Sequence, residues 1–398
     1  MSECPLHAPV SIPADGTPVR PSPELARWRA QGPAVPLRYR DGHEGLLITR
    51  YEEARAVLSD PRFSQQPQRM PDSHAALVER VPPGEVDEEI AEAARLSNIL
   101  GCDGAAHLRL RRAITKRFSA RSARSYIERV EEIVEAAFGG LLESGSPANL
   151  TRVYAEPISA QVHAFVLGIP EHLVERFTDV YVRGAPLQVQ HDLLREAIAH
   201  RREHPGEDVI TDLLASDLSA AEVLGMMHTL SMSGRDTVAY FIVTAMVALL
   251  SDRSQLEALA ADPDRIPAAI EEIVRYGTMF LTVFPRTALD EVELGDRIIP
   301  AGTTVSVSAV SANRDERRWG SSADRLDVHR DAQGHLAFGD GAHMCVGQQV
   351  ARVELAVALR RLITGLPTLR LVEAEQLTPQ PLAHPVATYE AGSLVVGW

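Results

Sequence analysis

The sequence has few cysteines and no long apolar run. Its three cysteines, Cys4, Cys102 and Cys345, lie far apart without a C-x-x-C pair, which argues against a disulfide framework and against a zinc or iron–sulfur site. The longest nearly unbroken apolar run, residues 240–250, is too short to cross a bilayer. The first residues lack the positive start and apolar core of a secretory signal. The sequence therefore predicts a cytoplasmic protein that does not enter a membrane.

Positive charge is also scarce. Lys and Arg number 40 against 54 Asp and Glu, which gives a formal net charge of -14. That balance argues against nucleic acid and against anionic membrane surfaces as partners. The chain is 45% hydrophobic and 24% charged, as is usual for a soluble globular enzyme. Its 398 residues allow two ordinary domains or a single large one.

Apolar periodicity predicts mostly helix with a minor sheet. Residues 1–22 form an expected irregular arm, and residues 23–398 an expected single domain, because neither a repeat nor a clean linker interrupts them. The longest helix is predicted over about 219–250, where Ser219 and Glu222 have the spacing of a capping box. Alternating patterns, as in residues 36–50 and 290–310, predict small sheets. The fold class is mostly α, an α-rich α+β domain.

The most specific pattern runs from Phe338 to Gly347, FGDGAHMCVG, and leads into a helical pattern. Its glycines allow left-handed backbone and close approach to a flat, bulky partner. Cys345 comes just before the predicted helix, and the positive end of a helix dipole favours thiolate over thiol. A small buried cysteine in a glycine-rich turn is the alternative interpretation.

The order F-G-x-G-x-H-x-C-x-G resembles the haem-binding loop of the cytochrome P450 superfamily at every fixed position. The resemblance extends from about Pro33 to the C-terminus, with further motifs in the expected order. It implies the family's fold, a long central helix over haem with small β-sheets. It also implies that Cys345 is the axial thiolate ligand of the iron of haem b (iron protoporphyrin IX), and that Phe338 and Gly347 contact this cofactor.

Gly234 stands inside the longest predicted helix, where glycine costs up to ~1 kcal/mol relative to alanine. It can open room for a small molecule, while Asp236 and Thr237 offer an acid and a hydroxyl. A tolerated glycine beside a surface acid is the alternative. The stretch resembles the family's oxygen-binding motif, A/G-G-x-D/E-T-T/S, with departures at Ser233 and Val238. That resemblance implies catalytic roles for Asp236 and Thr237 in steering protons to dioxygen, and it puts Ser233 near the oxygen pocket.

Glu272 and Arg275 lie one helical turn apart, a spacing that by itself indicates only an ordinary surface pair. They resemble the family's E-x-x-R element, which implies a buried structural ion network with a third basic residue, Arg325.

Haem propionates are carboxylates, and their burial requires cationic or donor partners. Similarity to the family's H-x-x-x-R helix, to its arginine after the E-x-x-R helix and to the histidine of its cysteine loop implies four such partners: His107, Arg111, Arg286 and His343.

The resemblance implies a bacterial-type haem-thiolate monooxygenase, expected to be a monomer, that inserts one oxygen atom from O2 into a C–H bond. No flavin or iron–sulfur motif precedes Cys345 and only 53 residues follow it. Electrons from NAD(P)H are therefore expected through a separate ferredoxin and ferredoxin reductase. Basic residues of two helices form a candidate ferredoxin surface, with a merely solvated face as the alternative: Arg109, Arg112, Lys116, Arg117, Arg352, Arg360 and Arg361.

Candidate substrate-pocket residues combine apolar and polar side chains, which suits an apolar or aromatic molecule with a few polar groups. They are Gln68, Met232, Ser233, Phe280, Thr282, Val283 and Val386. In this respect the sequence resembles actinobacterial members of the family that tailor secondary metabolites such as polyketides, terpenoids or cyclic dipeptides. Two alternatives remain open: radical C–C or C–N coupling of aromatic molecules on the same haem, and a non-catalytic haem sensor or electron carrier.

Overall fold

The computed structural model describes residues 9–39, 42–66, 88–234, 236–374, 379–380, 386–390 and 392–398. Contacts between residues group the chain into two compact units. The first unit comprises Met1–Glu79, Thr244–Cys345 and Glu375–Gly392, and the second comprises Arg80–Val243, Val346–Ala374 and Ser393–Trp398. The expected organisation, an arm over residues 1–22 and one domain over residues 23–398, stays a prediction.

Helices make up most of the described residues. In chain order they are α1 (Pro23–Gln31), α2 (Tyr51–Ser59), α3 (Glu88–Leu96), α4 (Gly104–Thr115), α5 (Ala120–Ser125), α6 (Ile127–Glu143), α7 (Glu156–Leu167), α8 (Val174–Tyr181), α9 (Leu187–Glu203), α10 (Val209–Leu214), α11 (Ala220–Gly234), α12 (Thr237–Ser251), α13 (Arg253–Ala261), α14 (Ile266–Tyr276), α15 (Ala309–Ala312), α16 (Glu316–Trp319) and α17 (Gln348–Gly365).

The strands of the described residues are short. They are β1 (Ala34–Arg38), β2 (Glu44–Ile48), β3 (Phe63–Ser64), β4 (Ala148–Asn149), β5 (Phe280–Thr282), β6 (Arg286–Ala288), β7 (Val292–Leu294), β8 (Arg297–Ile299), β9 (Thr304–Val307), β10 (Arg370–Ala374), β11 (Pro379–Gln380), β12 (Ala387–Tyr389) and β13 (Leu394–Gly397). The mostly helical fold with small sheets, predicted from the sequence, is confirmed.

The first unit is built on a five-stranded sheet in the order β1-β2-β9-β6-β3. Residues 36–50, predicted to be part of a sheet, contain parts of the antiparallel pair β1 and β2, and β2 pairs with β9 in parallel, with Leu46 opposite Val305. Apolar residues of this sheet and of α2 form one buried cluster that includes Ile48, Val57 and Phe63. The unit also contains the sheet β11-β12-β5 and the hairpin β7-β8.

The second unit consists of packed helices and the small sheet β10-β13-β4. In α6 the buried residues recur at helical spacing, as Val130, Val134, Phe138 and Leu141 show, so one stripe of the helix faces its neighbours. Helix α17 packs along α6. Near the C-terminus, β10 pairs with β13 in antiparallel fashion.

The longest predicted helix corresponds to α11 and α12, between which Arg235 lies outside the described residues. Its predicted start is correct, because Ser219 N donates to Glu222 Oε2 at 2.7 Å and Glu222 N donates to Ser219 Oγ at 3.2 Å, which is a capping box. Helix α11 ends at Gly234, Asp236 lies in a turn, and α12 begins at Thr237. The turn at Asp236 therefore lies two residues after Gly234, between two stretches of regular helix.

The same stretch, Ala220–Ser251, has 32 residues and contains an 18-residue window with a mean hydropathy of 1.3, so it meets the length and hydropathy criteria of a membrane span. In the structure 71% of that window is buried. A helix that is apolar on most sides and buried in this way is typical of a protein core. Burial within the protein therefore explains its apolar composition.

Candidate active site

The cysteine loop, Phe338–Gly347, is closed by its own main chain. Cys345 N donates to Phe338 O at 2.8 Å, and the Asp340 side chain accepts from Gly341 N at 2.7 Å. Gly339 and Gly341 have φ values of +74° and +71°, in the left-handed region that glycine enters without steric cost. The glycines of the motif therefore set the shape of the turn that presents the cysteine.

Helix α2 anchors this loop. A Cβ atom on Gly341 would lie 2.5 Å from Leu58 O and 2.8 Å from Ser59 Cα, so only glycine fits at this close approach. Arg55 Nε donates to Asp340 Oδ2 at 2.9 Å. A backbone contact and an ion pair thus fix the loop against the end of α2.

The loop suits a haem ligand in two respects. The side chain of Cys345 is exposed, although cysteine is among the most frequently buried residue types. The space beside Gly339 is open, since a Cβ there would have only Met344 Cα within 4 Å, at 3.8 Å. An accessible sulfur beside a glycine surface fits thiolate ligation of haem iron. Helix α17 begins at Gln348. Cys345 therefore lies three residues before the helix, and Val346 lies outside it as well.

The two remaining cysteines are Cys102 and Cys4. Cys102 is partly buried, and burial raises the pKa of its thiol to about 11. It therefore stays a thiol at neutral pH, and it serves as a matched comparison for Cys345 in the experiments below. Cys4 lies outside the described residues.

Glu272 and Arg275 form a fully buried pair on α14. Arg275 Nε donates to Glu272 Oε2 at 2.6 Å, Arg275 Nη2 donates to Glu272 Oε1 at 2.9 Å, and both side chains have 0% exposure. Arg275 also donates to the carbonyls of Asn313 and Ala323. A bidentate pair with its remaining donors satisfied is the arrangement that makes burial of two charges tolerable.

The third basic residue of this network is Arg330, which corrects the expectation of Arg325. Arg330 Nε donates to Glu272 Oε1 at 3.2 Å, while its other nitrogens bond Trp319 O and Ser322. Arg325 is exposed and contributes only its carbonyl, which accepts from Arg275 Nη2 at 3.5 Å. The difference arises because the chain turns between these positions and directs the later arginine inwards.

The residues expected to bind propionates lie in both units. In the first unit, Arg286 on β6 is 6% exposed and its Nη1 donates to Phe63 O at 3.4 Å, and His343 ends the short 3-10 turn of the cysteine loop. In the second unit, His107 is 2% exposed and Arg111 follows it one turn later on α4. Buried cationic and donor side chains are what a carboxylate ligand requires, and these four assignments stay predictions.

The acid and the alcohol of the oxygen motif occupy the start of α12. Asp236 is exposed, and its carbonyl accepts from Tyr240 N at 2.9 Å, so it caps the helix. Thr237 is the first residue of α12 and is partly buried. Ser233 is exposed and its hydroxyl donates to Thr229 O at 2.6 Å, so that hydroxyl is bonded to its own helix. The expected position of Ser233 near the oxygen pocket stays a prediction.

The candidate pocket segments of the first unit lie together. Strand β5 carries Phe280 and Thr282, with Val283 directly after it, and β5 pairs with β12, which follows Val386. Thr282 Oγ1 accepts from Ala387 N at 2.8 Å, which joins the two segments. Met232 lies on α11 of the second unit. The remaining candidate, Gln68, lies outside the described residues.

The expected basic surface is smaller than its sequence suggested. Arg109 pairs with Asp217 and Glu222. Arg117 and Lys116 both face Asp212, and Arg361 pairs with Glu135. These acids compensate four of the seven cations, and among the others Arg112 and Arg360 are exposed.

Two residues near the motifs were not found from the sequence. His163 on α7 contacts Gly234, and Glu354 on α17 is 3% exposed with no hydrogen bond from Oε1 to any described residue. Burial raises the pKa of Glu354 well above its ordinary value. Neither residue carries a local signal, because each acquires its environment from neighbouring helices.

Comparison with known proteins gives the same family. The family described as Cytochrome P450 matches residues 187–366. Cytochrome P450 monooxygenase PikC of Streptomyces venezuelae is 36% identical over 88% of this chain and 85% of its own length. Mycinamicin IV hydroxylase/epoxidase of Micromonospora griseorubida is 34% identical over 83% of this chain and 84% of its own length.

A solved structure agrees over nearly the whole chain. The crystal structure of cytochrome P450 MoxA from Nonomuraea recticatena has a TM-score of 0.84 and 30% identity, and covers 98% of this chain and 99% of its own. Sequence and fold similarity of this extent confirm the family that the cysteine loop indicated. The chain belongs to the cytochrome P450 family of haem-containing monooxygenases.

Proposed function

We propose that this protein oxidises a secondary metabolite by inserting one oxygen atom from O2 into a C–H bond. The observation that carries this proposal is the cysteine loop, which holds Cys345 exposed beside an open glycine surface. Haem iron with a thiolate ligand supplies the activation of dioxygen and the cleavage of its O–O bond. The protein's part is to hold the cofactor, to position one C–H bond and to deliver protons.

Within this proposal Cys345 would hold the haem iron, with Phe338 and Gly347 as further haem contacts. His107, Arg111, Arg286 and His343 would hold its carboxylates, because their charge and donors offset the burial of such groups. Glu272, Arg275 and Arg330 have no part in turnover, since their hydrogen bonds are made to one another, to backbone groups and to the hydroxyl of Ser322.

Asp236 and Thr237 are the proposed proton-delivery residues. The Thr237 hydroxyl both donates and accepts, so it can hold a proton beside the oxygen site. Asp236 is exposed and exchanges protons with water. Thr237→Ala is therefore expected to divert electrons from product to peroxide, whereas Thr237→Ser, which keeps a hydroxyl, retains most of the coupling. Equal coupling in the wild type and in Thr237→Ala would contradict these roles.

The thiolate assignment is tested by the spectrum of the reduced protein with carbon monoxide. Cys345→Ser is expected to lose the thiolate-type Soret band, and Cys102→Ser, a partly buried thiol elsewhere in the chain, is expected to keep it. A thiolate-type band that survives in Cys345→Ser would exclude Cys345 as the ligand.

The substrate class follows from the relatives and from the candidate pocket. One relative is named for mycinamicin IV, and the pocket segments combine Phe280 and Val283 with Thr282. An optical titration of the ferric protein against polyketides, terpenoids, fatty acids and cyclic dipeptides identifies the class by its shift from low to high spin. Product mass separates insertion, which adds one oxygen atom, from radical coupling, which adds none. A non-catalytic haem sensor gives no product with any substrate that binds.

The electron donor is a ferredoxin served by its own reductase, and the protein acts in the cytoplasm. Arg112 and Arg360 are exposed basic residues that attract an acidic partner. Charge reversal at either one is expected to raise the KM for ferredoxin at low salt and to lose that effect at high salt. Arg38→Glu, at an exposed arginine of β1, is the control and should leave the KM for ferredoxin unchanged.

A further inference from the structure

Gly234 ends α11 two residues before Asp236, and its glycine identity has a specific structural cause. Its backbone is not in the left-handed region, so conformational freedom does not require glycine here. A Cβ atom on Gly234 would lie 2.3 Å from His163 Cε1 and 2.4 Å from His163 Nδ1. Distances this short do not occur between real side chains, so the imidazole of His163 occupies the space that any larger residue would need.

Contacts with α11 and α8 hold His163 in that space. Its Nε2 lies 2.9 Å from Leu230 O, one turn before Gly234, and its ring lies 6.2 Å from the ring of Phe177, which is fully buried. Burial lowers the pKa of the imidazole to about 4. The ring is therefore neutral at neutral pH, and Nε2–H is the donor to the carbonyl.

A second side chain of α7 reaches the same turn. The Ser159 hydroxyl donates to Gly234 O at 3.5 Å. Ser159 and His163 lie one turn apart on α7, so they contact both ends of the last turn of α11. Asp236 and Thr237 follow two and three residues after Gly234, so the contacts of Ser159 and His163 lie next to them along the chain.

We propose that His163 is a positioning residue for the segment of Asp236 and Thr237, and that Gly234 is glycine in this protein because His163 packs against it. This inference rests on the proposed role of Asp236 and Thr237 in proton delivery. It replaces the expectation that Gly234 leaves room for a small molecule, since the imidazole already fills the side-chain position.

The packing part is tested by a double-mutant cycle on thermal unfolding. Gly234→Ala is expected to lower the melting temperature by about 1–4 °C, the cost of overpacking a chain of this size. In the background of His163→Ala the same change is expected to cost less than half as much, because the clash is gone. Equal losses in the two backgrounds would overturn the packing explanation.

The positioning part needs a readout that stability alone does not move. Chemically reduced protein is mixed with oxygenated buffer without substrate, and its re-oxidation rate is followed by stopped flow. His163→Leu, which fills space but has no N–H, is expected to change this rate about two- to twelvefold, the range of one lost neutral hydrogen bond. His163→Gln, whose amide can still donate to Leu230 O, is expected to stay close to the wild type.

Each outcome has a separate meaning. An unchanged rate in His163→Leu, in protein that keeps its thiolate-type spectrum, refutes the positioning role and leaves the proposed function intact. A thiolate-type band absent from the wild type refutes the proposed function itself, whatever the unfolding cycle shows. Equal rates in His163→Leu and His163→Gln, both far from the wild type, refute the hydrogen bond to Leu230 as the cause.

Discussion

Replacement of Arg275 by methionine removes the centre of the buried charge network while keeping most of the side-chain volume. Glu272 then loses both of its bonds from Arg275 and keeps Arg330 Nε at 3.2 Å and Asp327 N at 3.0 Å. The carbonyl of Ala323 loses a donor as well. Because Glu272 and Arg275 are both 0% exposed, water cannot replace these bonds in the folded protein.

Breaking one partner of a buried pair typically costs about 3–5 kcal/mol. Unfolding entropy near the melting temperature is roughly 2.1 cal/mol/K per residue, or about 0.8 kcal/mol/K for a chain of this length. The expected fall in melting temperature for Arg275→Met is therefore about 4–6 °C. Calorimetry of the purified protein measures it, and haem content after mild heating should fall in parallel.

Arg129 provides the matched control. It pairs with Glu132 at the same sequence separation of three residues, with a distance of 2.7 Å, but the two side chains are 48% and 58% exposed. An exposed pair contributes about 0–1 kcal/mol, so Arg129→Met should lower the melting temperature by about 1 °C or less. A similar fall for the two variants would refute the argument that burial, rather than pairing, gives Arg275 its importance.

Three further tests use substitutions at the cysteine loop, at Glu354 and in the charge network of Glu272. Gly341→Ala places a Cβ against the main chain of α2, and the variant should lose more than half of its bound haem. Gly302 is the control: it has φ +83°, but a Cβ there would have no described atom within 4 Å, so Gly302→Ala should lower the melting temperature by only about 1–3 °C. Burial raises the pKa of Glu354, so the folded protein keeps a proton that the unfolded chain releases, and stability falls as pH rises above about 4.3. Glu354→Gln should therefore raise the melting temperature more at pH 8 than at pH 5, and an equal gain at both values would contradict a buried neutral acid. Arg330→Met should be destabilising and Arg325→Met nearly neutral, and calorimetry of the pair distinguishes the observed network from the one expected from the sequence.

Local signals predicted the local structure well. The capping box of Ser219 and Glu222 needs only residues three apart, and both of its hydrogen bonds are present. The cysteine loop is likewise a contiguous motif whose glycines and Cys345 act within ten residues, and the family it indicated is confirmed. Interactions of this kind are complete within one stretch of chain, so the sequence contains all of their partners.

The interruption between α11 and α12 was not predicted. Apolar periodicity continues through Gly234 and into the next helix, and periodicity reports which face is buried rather than whether the backbone turns. The helix end at Gly234 coincides with contacts from Ser159 and His163, more than 70 residues earlier in the chain. No pattern within the helix itself carries that information.

The sequence by itself determined the family, the thiolate ligand expected at Cys345 and the mostly helical fold, because each depends on contiguous residues or on periodicity. Only the tertiary structure decided that Arg330 completes the network of Glu272, that Gly234 accommodates His163, and that acids compensate much of the expected basic surface. The pair Glu272–Arg275 and the pair Arg129–Glu132 have the same separation of three residues in the sequence. Packing buries the first and leaves the second in water, and the dielectric difference between these environments gives two similar patterns different consequences.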